Sequence, residues 1–341
     1  MRYSDALESI RRSPRTWLVT GAAGFIGSNL VEALLEQGQT VVGLDNFVTG
    51  YPHNLEDIHV QVGEEAWSRF TFIEGDIRDL EDCRRACAGA AIVLHQAALG
   101  SVPRSIGDPI TSHQANVDGF LNMLVAAKDA GVGRFVFASS SSVYGDHPDL
   151  PKIEERIGRP LSPYALTKAI GEQYAAVFAL TYGFKAIGLR YFNVFGRRQN
   201  PNGAYAAVMP RWISTLLNGG ICQINGDGDT SRDFCYIANV MQANLLAGLV
   251  EDEAALDQIY NVSHGGRTTL KELYGMIRER LAKHDPTMAQ REPAFAGFRD
   301  GDVRHSQADT SKIRRLLGYE PTHSVARGLD EVVDWYAGQR V

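Results

Sequence analysis

The sequence predicts an α/β protein, in which a doubly wound parallel sheet is followed by a smaller mixed α/β domain. In the first half of the chain, short apolar runs alternate with stretches whose apolar residues recur at helical spacing. The short runs are apolar on both faces, as are the strands of a parallel sheet that helices cover on each side. The chain has 341 residues, of which 44% are hydrophobic, and can bury a large core.

The elements follow in a regular order. Residues 17–20 form the first predicted strand, a glycine-rich turn follows, and residues 25–37 form a helix that ends before Gly38. The second strand, residues 40–44, ends on Asp45. Further apolar runs predict strands over residues 70–73, 91–94, 134–138 and 186–190. Since such sheets bind ligands beyond the carboxyl ends of their strands, we expect the functional site there.

The composition changes after the last of these strands. The chain becomes irregular and rich in Asn, Gly and Pro as far as Asp229, and helical segments then alternate with short strands. We therefore predict a sheet domain over residues 1–192, to which the chain returns around residues 233–262, and a smaller ligand-binding domain over residues 193–341.

Charge and cysteine content exclude several classes of protein. Lys and Arg total 34 against 40 Asp and Glu, without a basic run, so no nucleic-acid partner is expected. Residues 1–15 lack the apolar core of a signal peptide, and no later run reaches membrane-spanning length, which predicts a soluble cytoplasmic protein without a membrane partner. The cysteines and histidines show no metal-ligand spacing, so no metal is predicted and the four cysteines are interpreted as reduced structural thiols.

A glycine-rich turn joins the first strand to the first helix. Glycines let the backbone approach a pyrophosphate, which the free amides and the dipole at a helix N-terminus bind. Asp45 ends the next strand about twenty residues on, where a carboxylate binds the ribose hydroxyls of NAD and repels a 2′-phosphate. Asn46 follows Asp45 and no arginine stands beside it, so a Rossmann-type domain with NAD is predicted rather than NADP. The residues of the turn are Gly21, Gly24, Phe25, Ile26 and Gly27.

Tyr164 and Lys168 lie one helical turn apart in a predicted helix. A tyrosine is a poor base because its ordinary pKa is about 10, but a nearby ammonium and a positive nicotinamide ring both favour the phenolate. The pair therefore indicates nicotinamide-dependent redox chemistry.

These motifs resemble those of an extended short-chain dehydrogenase/reductase that acts on a nucleotide sugar, and the resemblance spans nearly the whole chain. It implies that NAD is tightly bound and not consumed, that Tyr164 and Lys168 are the catalytic pair, and that Lys168 also holds the nicotinamide ribose. Asn116 would steady the active-site helix. The further cofactor-binding residues that the resemblance implies are Gly50, Asp76, Ile77, Gln96, Ala97 and Tyr191.

The run Ser140, Ser141 and Ser142 distinguishes the reactions of this family. Relatives that dehydrate a sugar carry an acid pair in place of Ser141 and Ser142, and decarboxylating relatives keep a glutamate at the second position. With serines alone, the 4-keto intermediate has one easy reaction, in which it takes its hydride back. If the hydride returns to the opposite face of the sugar, the product is the C4 epimer. By the resemblance, Ser140 shares the 4-hydroxyl of the sugar with Tyr164.

The resemblance also implies a site for a uridine diphosphate group. Two arginines would clamp the diphosphate, because a guanidinium fork matches phosphate oxygens. Asp302 would bind the ribose and Asn193 a phosphate, while the strand at Asn225 and the backbone at Ala207 and Val208 would frame the uracil. The two arginines are Arg232 and Arg299.

The sugar itself is predicted from Ser306. In the resembled epimerases that are restricted to UDP-glucose and UDP-galactose, a tyrosine tends to fill this position beside C2. Serine leaves room for an N-acetyl group, which favours interconversion of UDP-GlcNAc and UDP-GalNAc. Loops around Gly100, Ser101 and Gln199 also resemble those of bacterial UDP-N-acetylhexosamine 4-epimerases of surface-polysaccharide synthesis.

Two alternatives stay open at this point. A UDP-glucuronate or UDP-N-acetyl-uronate 4-epimerase would share the serine run and the redox pair, with Arg104 or Arg304 meeting the C6 carboxylate. A non-catalytic NAD-binding module would need none of Ser140, Tyr164 and Lys168. The helices expected over residues 110–130 and 163–182 carry apolar residues on more than one face, and the resembled family commonly forms dimers, so a homodimer is predicted.

Overall fold

A computed structural model of the chain describes residues 2–202, 206–298 and 304–339. Two of the predicted substrate-binding residues, Arg299 and Asp302, lie outside this described part.

The helices of the described residues, in chain order, are α1 (Tyr3–Arg12), α2 (Phe25–Glu36), α3 (Pro52–Trp67), α4 (Leu80–Cys87), α5 (Val102–Gly107), α6 (Pro109–His113), α7 (Gly119–Asp129), α8 (Pro163–Tyr182), α9 (Val208–Leu217), α10 (Ile237–Leu249), α11 (Leu270–His284), α12 (Ser311–Leu317) and α13 (Val325–Gly338). A π-helical turn spans Gln114–Asp118, and short 3₁₀ turns span Ser141–Tyr144, Glu253–Ala255 and Pro286–Gln290.

The strands of the described residues are β1 (Thr16–Thr20), β2 (Thr40–Asp45), β3 (Phe70–Glu74), β4 (Ile92–His95), β5 (Arg134–Ser140), β6 (Ala186–Tyr191), β7 (Val194–Phe195), β8 (Gln223–Asn225), β9 (Ser231–Arg232), β10 (Cys235–Tyr236), β11 (Ile259–Val262), β12 (Thr268–Thr269) and β13 (Ala294–Ala296).

Seven strands form one parallel sheet in the order β11-β6-β5-β4-β1-β2-β3. The chain runs outward from β1 to β3, then crosses back to β4 and continues to the other edge. Because the strand order reverses between β1 and β4, the loops that follow these two strands lead in opposite directions. A crevice therefore opens above the carboxyl ends of β1 and β4. Thr20 and His95, the last residues of these two strands, lie side by side at its floor.

Two hydrophobic clusters cover the two faces of the sheet. Successive residues of a strand point to opposite faces, and Leu18 accordingly belongs to one cluster while Trp17 and Val19 belong to the other. All three side chains are fully buried. The predicted fold class, a Rossmann-type parallel sheet covered by helices, is therefore confirmed.

Two helices lie where none was predicted. Helix α9 interrupts the stretch that was expected to be irregular, and its buried residues Met209, Trp212, Ile213 and Leu216 fall on one face. Helix α1 precedes the first strand, and buries Ala6 and Ile10. In both cases packing of one apolar face stabilises a helix whose local composition is a weak signal.

The C-terminal half of the chain adds three two-stranded sheets, which pair β7 with β10, β9 with β12, and β8 with β13. Strand β11 returns to the central sheet beside β6. The expected helix over residues 110–130 is divided into α6, the π-helical turn and α7.

No helix among the described residues is both long and apolar enough to cross a membrane. In the same part of the chain, no group of three or more His, Cys, Asp or Glu side chains could hold a metal ion. The four cysteines, Cys83, Cys87, Cys222 and Cys235, are free and buried.

Candidate active site

A cavity of about 350 Å³ opens at the carboxyl ends of β1, β2 and β4. Sequence reasoning identified many of its residues, and missed Val48, Thr49, Arg78, Thr111 and Ala115. The predicted residues that line it are Gly21, Gly24, Phe25, Ile26, Gly27, Asp45, Asn46, Asp76, Ile77, Gln96, Ala97 and Gly100.

The glycine turn brings the start of α2 close to this cavity. A Cβ atom on Gly27 would lie 2.0 Å from the carbonyl oxygen of Gly21, so only glycine fits there. Gly21 itself has a φ of 69° and donates its amide to Leu44 at 2.8 Å. The first intrahelical bond is made by Ser28 to Gly24, so the amides of Phe25, Ile26 and Gly27 have no acceptor within the helix and are available to a pyrophosphate.

Asp45 lies buried at the end of β2. Its Oδ2 accepts the amide of Ala23 at 2.9 Å and its Oδ1 accepts the amide of Phe47 at 2.8 Å. Burial raises the pKa of this carboxyl, and the amide hydrogen bonds oppose the rise. A Cβ atom on Gly50 would lie 2.8 Å from Asp45 Oδ2, so Gly50 leaves room beside the carboxylate. The carboxylate therefore faces the cavity in a fixed orientation, as ribose binding requires.

Asp76 and Ile77 form the outer wall. Asp76 accepts hydrogen bonds from Asn46 Nδ2 at 2.9 Å and from Arg78 Nη2 at 2.6 Å. The hydrogen bonds from Arg78 lower the pKa of Asp76 to about 2. Arg78 thus stands in the cavity wall near the adenine end, but its guanidinium is paired with a carboxylate. This pairing leaves it poorly suited to a 2′-phosphate and agrees with the preference for NAD.

Gln96 and Tyr191 belong to one closed hydrogen-bond network with Asn244. Tyr191 Oη donates to Gln96 Oε1 at 3.0 Å, Gln96 Nε2 donates to Asn244 Oδ1 at 3.0 Å, and Asn244 Nδ2 donates to Tyr191 Oη at 2.9 Å. Gln96 lines the cavity, whereas Tyr191 lies behind it and fixes its amide. Asn244 belongs to no motif in the sequence, so the sequence analysis missed it.

Asn116 sits in the π-helical turn and holds the loop that follows β4. Its Oδ1 accepts the amide of Leu99 at 2.7 Å, and its Nδ2 donates to the Leu99 carbonyl at 3.1 Å and to Thr167 Oγ1 at 3.2 Å. Thr167 lies between Tyr164 and Lys168 in sequence. Asn116 therefore ties the cofactor loop to the helix that carries the reactive pair.

Tyr164, Ser140 and Lys168 converge at the ends of β5 and α8. The Tyr164 phenol is buried and lies beside the Ser140 hydroxyl; burial raises the pKa of the phenol, and the neighbouring Ser140 opposes the rise. The Lys168 ammonium donates to the carbonyl of Ala138 at 2.8 Å. Burial lowers the pKa of Lys168 to about 8, and the charge of Glu172 opposes this shift. The Tyr164 amide is anchored by Ser105 Oγ at 3.0 Å.

The serine run forms the 3₁₀ turn after β5. Ser140 is its N-cap and accepts the amide of Ser142 at 3.1 Å, while its own hydroxyl donates to Ser142 Oγ at 3.1 Å. Ser141 begins the turn and is only partly buried. No carboxylate occupies this turn, whose residues are Ser141–Tyr144.

The predicted substrate-binding residues of the C-terminal half lie on several short elements. Asn193 has a φ of 36° and donates Nδ2 to the Asp233 carbonyl at 3.1 Å. Arg232 ends β9. The backbone at Ser306 lies beside this strand, because the Ser306 amide donates to the Ser231 carbonyl at 3.1 Å. The structure thus brings Ser306 next to the strand of Arg232, although they are 74 positions apart in the sequence.

The remaining predicted residues are distributed around the same region. Gln199 donates Nε2 to the Val194 carbonyl at 3.1 Å, and its buried Oε1 has no partner among the described residues. Ala207 is the N-cap of α9, which Val208 begins. Asn225 ends β8, and Ser101 caps α5 by accepting the amide of Arg104 at 3.2 Å.

The fold and the site define a dinucleotide-dependent enzyme of the short-chain dehydrogenase/reductase kind. The chain belongs to the NAD dependent epimerase/dehydratase family, whose model matches residues 17–263. The predicted family, the enzyme class and the NAD cofactor are therefore confirmed.

Several known proteins that are similar to the chain along almost its whole length are UDP-sugar 4-epimerases. A UDP-glucose 4-epimerase of Mycolicibacterium smegmatis is 36% identical over 321 residues, which covers 94% of this chain and 97% of that one. UDP-glucuronate 4-epimerase 4 of Arabidopsis thaliana is 31% identical over 354 residues, which covers 98% and 78%. A solved UDP-N-acetylglucosamine 4-epimerase of Methanobrevibacter ruminantium M1, in complex with UDP-N-acetylmuramic acid, matches with a TM-score of 0.87, 35% identity and coverage of 96% and 99%.

Proposed function

We propose that the protein interconverts UDP-GlcNAc and UDP-GalNAc by epimerisation at C4 through a transient 4-keto sugar. The observation that carries the proposal is the convergence of Tyr164, Ser140 and Lys168 beside a serine turn without a carboxylate. Such a site can remove and return a hydrogen at one carbon, but lacks the carboxyl group that elimination of water needs.

The chain's own residues handle the proton. Tyr164, as the phenolate, accepts the proton of the 4-hydroxyl, and Ser140 relays it because its hydroxyl lies beside the phenol. Lys168 stabilises the phenolate by its positive charge. Bound NAD supplies the acceptor and then the donor for the C4 hydride, so there is no net redox change. The sugar turns about its diphosphate while Arg232 and Asn193 hold that group, which exposes the opposite face for the return of the hydride.

The choice of an N-acetylated sugar rests on Ser306. Its small, partly exposed side chain stands beside β9, where a larger residue would fill the space. The UDP-N-acetylglucosamine 4-epimerase described above supports this choice through its similarity along the whole chain.

The uronic acid alternative is less well supported. It assigns the C6 carboxylate to Arg104 or Arg304. Arg304 already pairs with Asp227 at 2.7 Å and lies over the Phe298 ring at 5.6 Å from its centre. Arg304 would have to exchange its pair with Asp227 for the C6 carboxylate.

We also propose a homodimer through α5, α6 and α8. These helices expose large apolar side chains that a monomer has no reason to present to water. Leu180 is 88% exposed. The others on this face are Ile106, Ile110, Leu166 and Val177. The division into a sheet domain and a substrate domain near residue 192 remains part of the proposal, and the return of β11 to the central sheet supports it.

The purified protein, incubated with UDP-GlcNAc and separately with UDP-glucose and UDP-glucuronate, tests the proposal by anion-exchange chromatography of the products. We expect formation of UDP-GalNAc at a rate well above that of UDP-galactose, with no change of the uronate. Conversion of UDP-glucuronate alone would support the alternative. NAD binding without conversion of any nucleotide sugar would support a non-catalytic module.

A further inference from the structure

Glu172 extends the reactive face of α8 by one more turn. Tyr164, Lys168 and Glu172 follow one another at intervals of four residues, so they form a ladder along one side of the helix. Glu172 is buried, with 7% of its surface exposed. No motif in the sequence analysis included it.

The carboxylate of Glu172 is held by two strands of the central sheet. Arg190 of β6 binds it in a bidentate manner, with Nε to Oε1 at 2.9 Å and Nη2 to Oε2 at 2.7 Å. Ser139 of β5 donates its hydroxyl to Oε1 at 2.5 Å. Ser139 directly precedes Ser140 in β5, so the group that orients Glu172 neighbours the serine of the proposed catalytic site.

Arg190 is itself fixed on its other sides. Its Nη1 donates to the Glu154 carbonyl at 2.9 Å, and its guanidinium lies over the ring of Tyr144 at 4.8 Å. The Tyr144 hydroxyl donates to Asn261 Oδ1 at 2.7 Å. The Glu172–Arg190 pair is therefore rigid and desolvated.

A buried ion pair of this kind adds little to stability when compared with apolar residues of similar volume, because desolvation offsets the attraction. A reason for the pair beyond packing is the negative charge of Glu172, which lies one helical turn from Lys168. The ammonium of Lys168 has lost water and has the Ala138 carbonyl as its protein acceptor. It needs an anion nearby to stay protonated.

The charged and titratable groups around Lys168 come from its own helix and from β4 and β6. Tyr164 and Glu172 lie on its own helix. His95 of β4 is buried, and desolvation lowers its pKa to about 3, so it is neutral at pH 7. Arg190 of β6 is neutralised by Glu172. Among these groups, Glu172 is the one that carries a negative charge at neutral pH and favours the ammonium.

We propose that Glu172 is a positioning residue, whose carboxylate, oriented by Arg190 and Ser139, keeps the ammonium of Lys168 protonated in the active site. Its consequence for the reaction rests on the proposed function. Lys168 must be charged to stabilise the Tyr164 phenolate, so the pair sets the upper pH limit of activity.

The experiment measures the ionisation of Lys168 directly, by NMR titration of protein that carries ¹³C-labelled lysine. The Lys168→Met variant assigns the resonance. In Glu172→Gln, we expect the midpoint of the Lys168 titration to fall by about one pH unit or more, because the variant removes the carboxylate that lies one helical turn away on the same face of α8. In NAD-loaded enzyme, the alkaline limb of kcat against pH should move down by the same amount.

Two further variants guard against a purely structural effect. Because Glu172→Gln leaves the buried Arg190 charge without its carboxylate, and that charge by itself lowers the Lys168 midpoint, a double variant Glu172→Gln/Arg190→Gln removes both charges; it should show a smaller fall in the same direction. Glu155→Gln removes an exposed carboxylate that pairs with Lys312 at 3.2 Å, and should leave the Lys168 titration unchanged.

An unchanged Lys168 midpoint in the double variant would overturn the proposal, since a fall confined to Glu172→Gln would come from the unpaired Arg190 charge. A lower midpoint with an unchanged alkaline limb would overturn its catalytic consequence. If the wild-type protein converted no nucleotide sugar, the proposed function would fail, and the NMR titration would still decide the role of Glu172.

Discussion

The carboxylate of Asp233 accepts the backbone amide of Ala308 at 3.0 Å, although 75 positions separate the two residues in the sequence. The same carboxylate accepts the Ser263 hydroxyl at 2.5 Å and the Gly265 amide at 3.3 Å. Asp233 follows Arg232, and Ala308 lies two residues beyond Ser306. One buried side chain thus joins the segments of Arg232 and Ser306, which belong to the predicted substrate site, to the segment that follows β11.

The pH dependence of stability should show the burial of Asp233. Desolvation raises its pKa from 3.8 to about 6. Because the folded-state pKa lies above the unfolded-state value, this carboxyl stabilises the fold most below pH 4, and the contribution is lost as pH rises to 6 and above. At 1.36 kcal/mol per pKa unit, the contribution is up to about 3 kcal/mol.

The Asp233→Asn variant cannot titrate at this position. Denaturant unfolding of both proteins across pH 4–7 should show that the stability of the wild type relative to the variant decreases as pH rises. A difference that is constant with pH would contradict the raised pKa. The variant should also raise the KM for the UDP-sugar with NAD retained, since the segments of Arg232 and Ser306 lose a shared acceptor.

Tyr164→Phe should reduce kcat by about 10²–10⁴-fold, because it removes the proton acceptor and leaves the helix intact. NAD content, read from the absorbance of the cofactor that the denatured protein releases, should match the wild type. Tyr182→Phe is the matched control, since this tyrosine is 58% exposed at the far end of the same helix. A Tyr164→Phe enzyme with nearly normal turnover would remove Tyr164 from the mechanism.

Ser306→Tyr should shift the preference of the enzyme from UDP-GlcNAc to UDP-glucose. The aromatic side chain would occupy space that the N-acetyl group needs, so kcat/KM for UDP-GlcNAc should fall by about tenfold or more, while that for UDP-glucose is retained. Ser306→Ala, which leaves the space open, should keep the original preference. Equal losses on both sugars would show that Ser306 does not select the substituent at C2.

Gly27→Ala should abolish NAD binding and destabilise the protein. Its Cβ would lie 2.0 Å from the Gly21 carbonyl oxygen, and this backbone can move only by displacing the pyrophosphate-binding turn. Gly275→Ala is the matched control, because it lies in α11 with no heavy atom within 4 Å of the new Cβ. There, alanine should stabilise the helix by about 0.5–1 kcal/mol. Thermal unfolding and cofactor content measure both effects, and normal NAD content in Gly27→Ala would contradict the close approach.

Leu180→Lys should convert the proposed dimer to a monomer, because it places a charge in the apolar face of α8. Light scattering coupled to size-exclusion chromatography gives the mass. Ile221→Lys provides the comparison, since Ile221 is also largely exposed, at 68%, but lies away from α5, α6 and α8. The proposal would be withdrawn if wild type and Leu180→Lys had the same mass.

Local pattern was enough to predict the sheet. Each strand of the first half carries a run of apolar residues that only a doubly covered parallel sheet can bury, and the glycine turn and Asp45 mark the carboxyl ends of β1 and β2. Helices α1 and α9 were missed because their stability comes from one buried face, which a single sequence signals weakly.

The sequence by itself determined the fold class and the cofactor and predicted the reactive pair, because each depends on residues close together in the chain, such as Tyr164 and Lys168 on one helix face. Only the tertiary structure decided which distant groups control them. Asn244 holds Gln96 and Tyr191, and Arg190 holds Glu172, through contacts that span 148 and 18 positions. Such contacts arise when strands and helices pack against one another, and no local spacing in the chain encodes them.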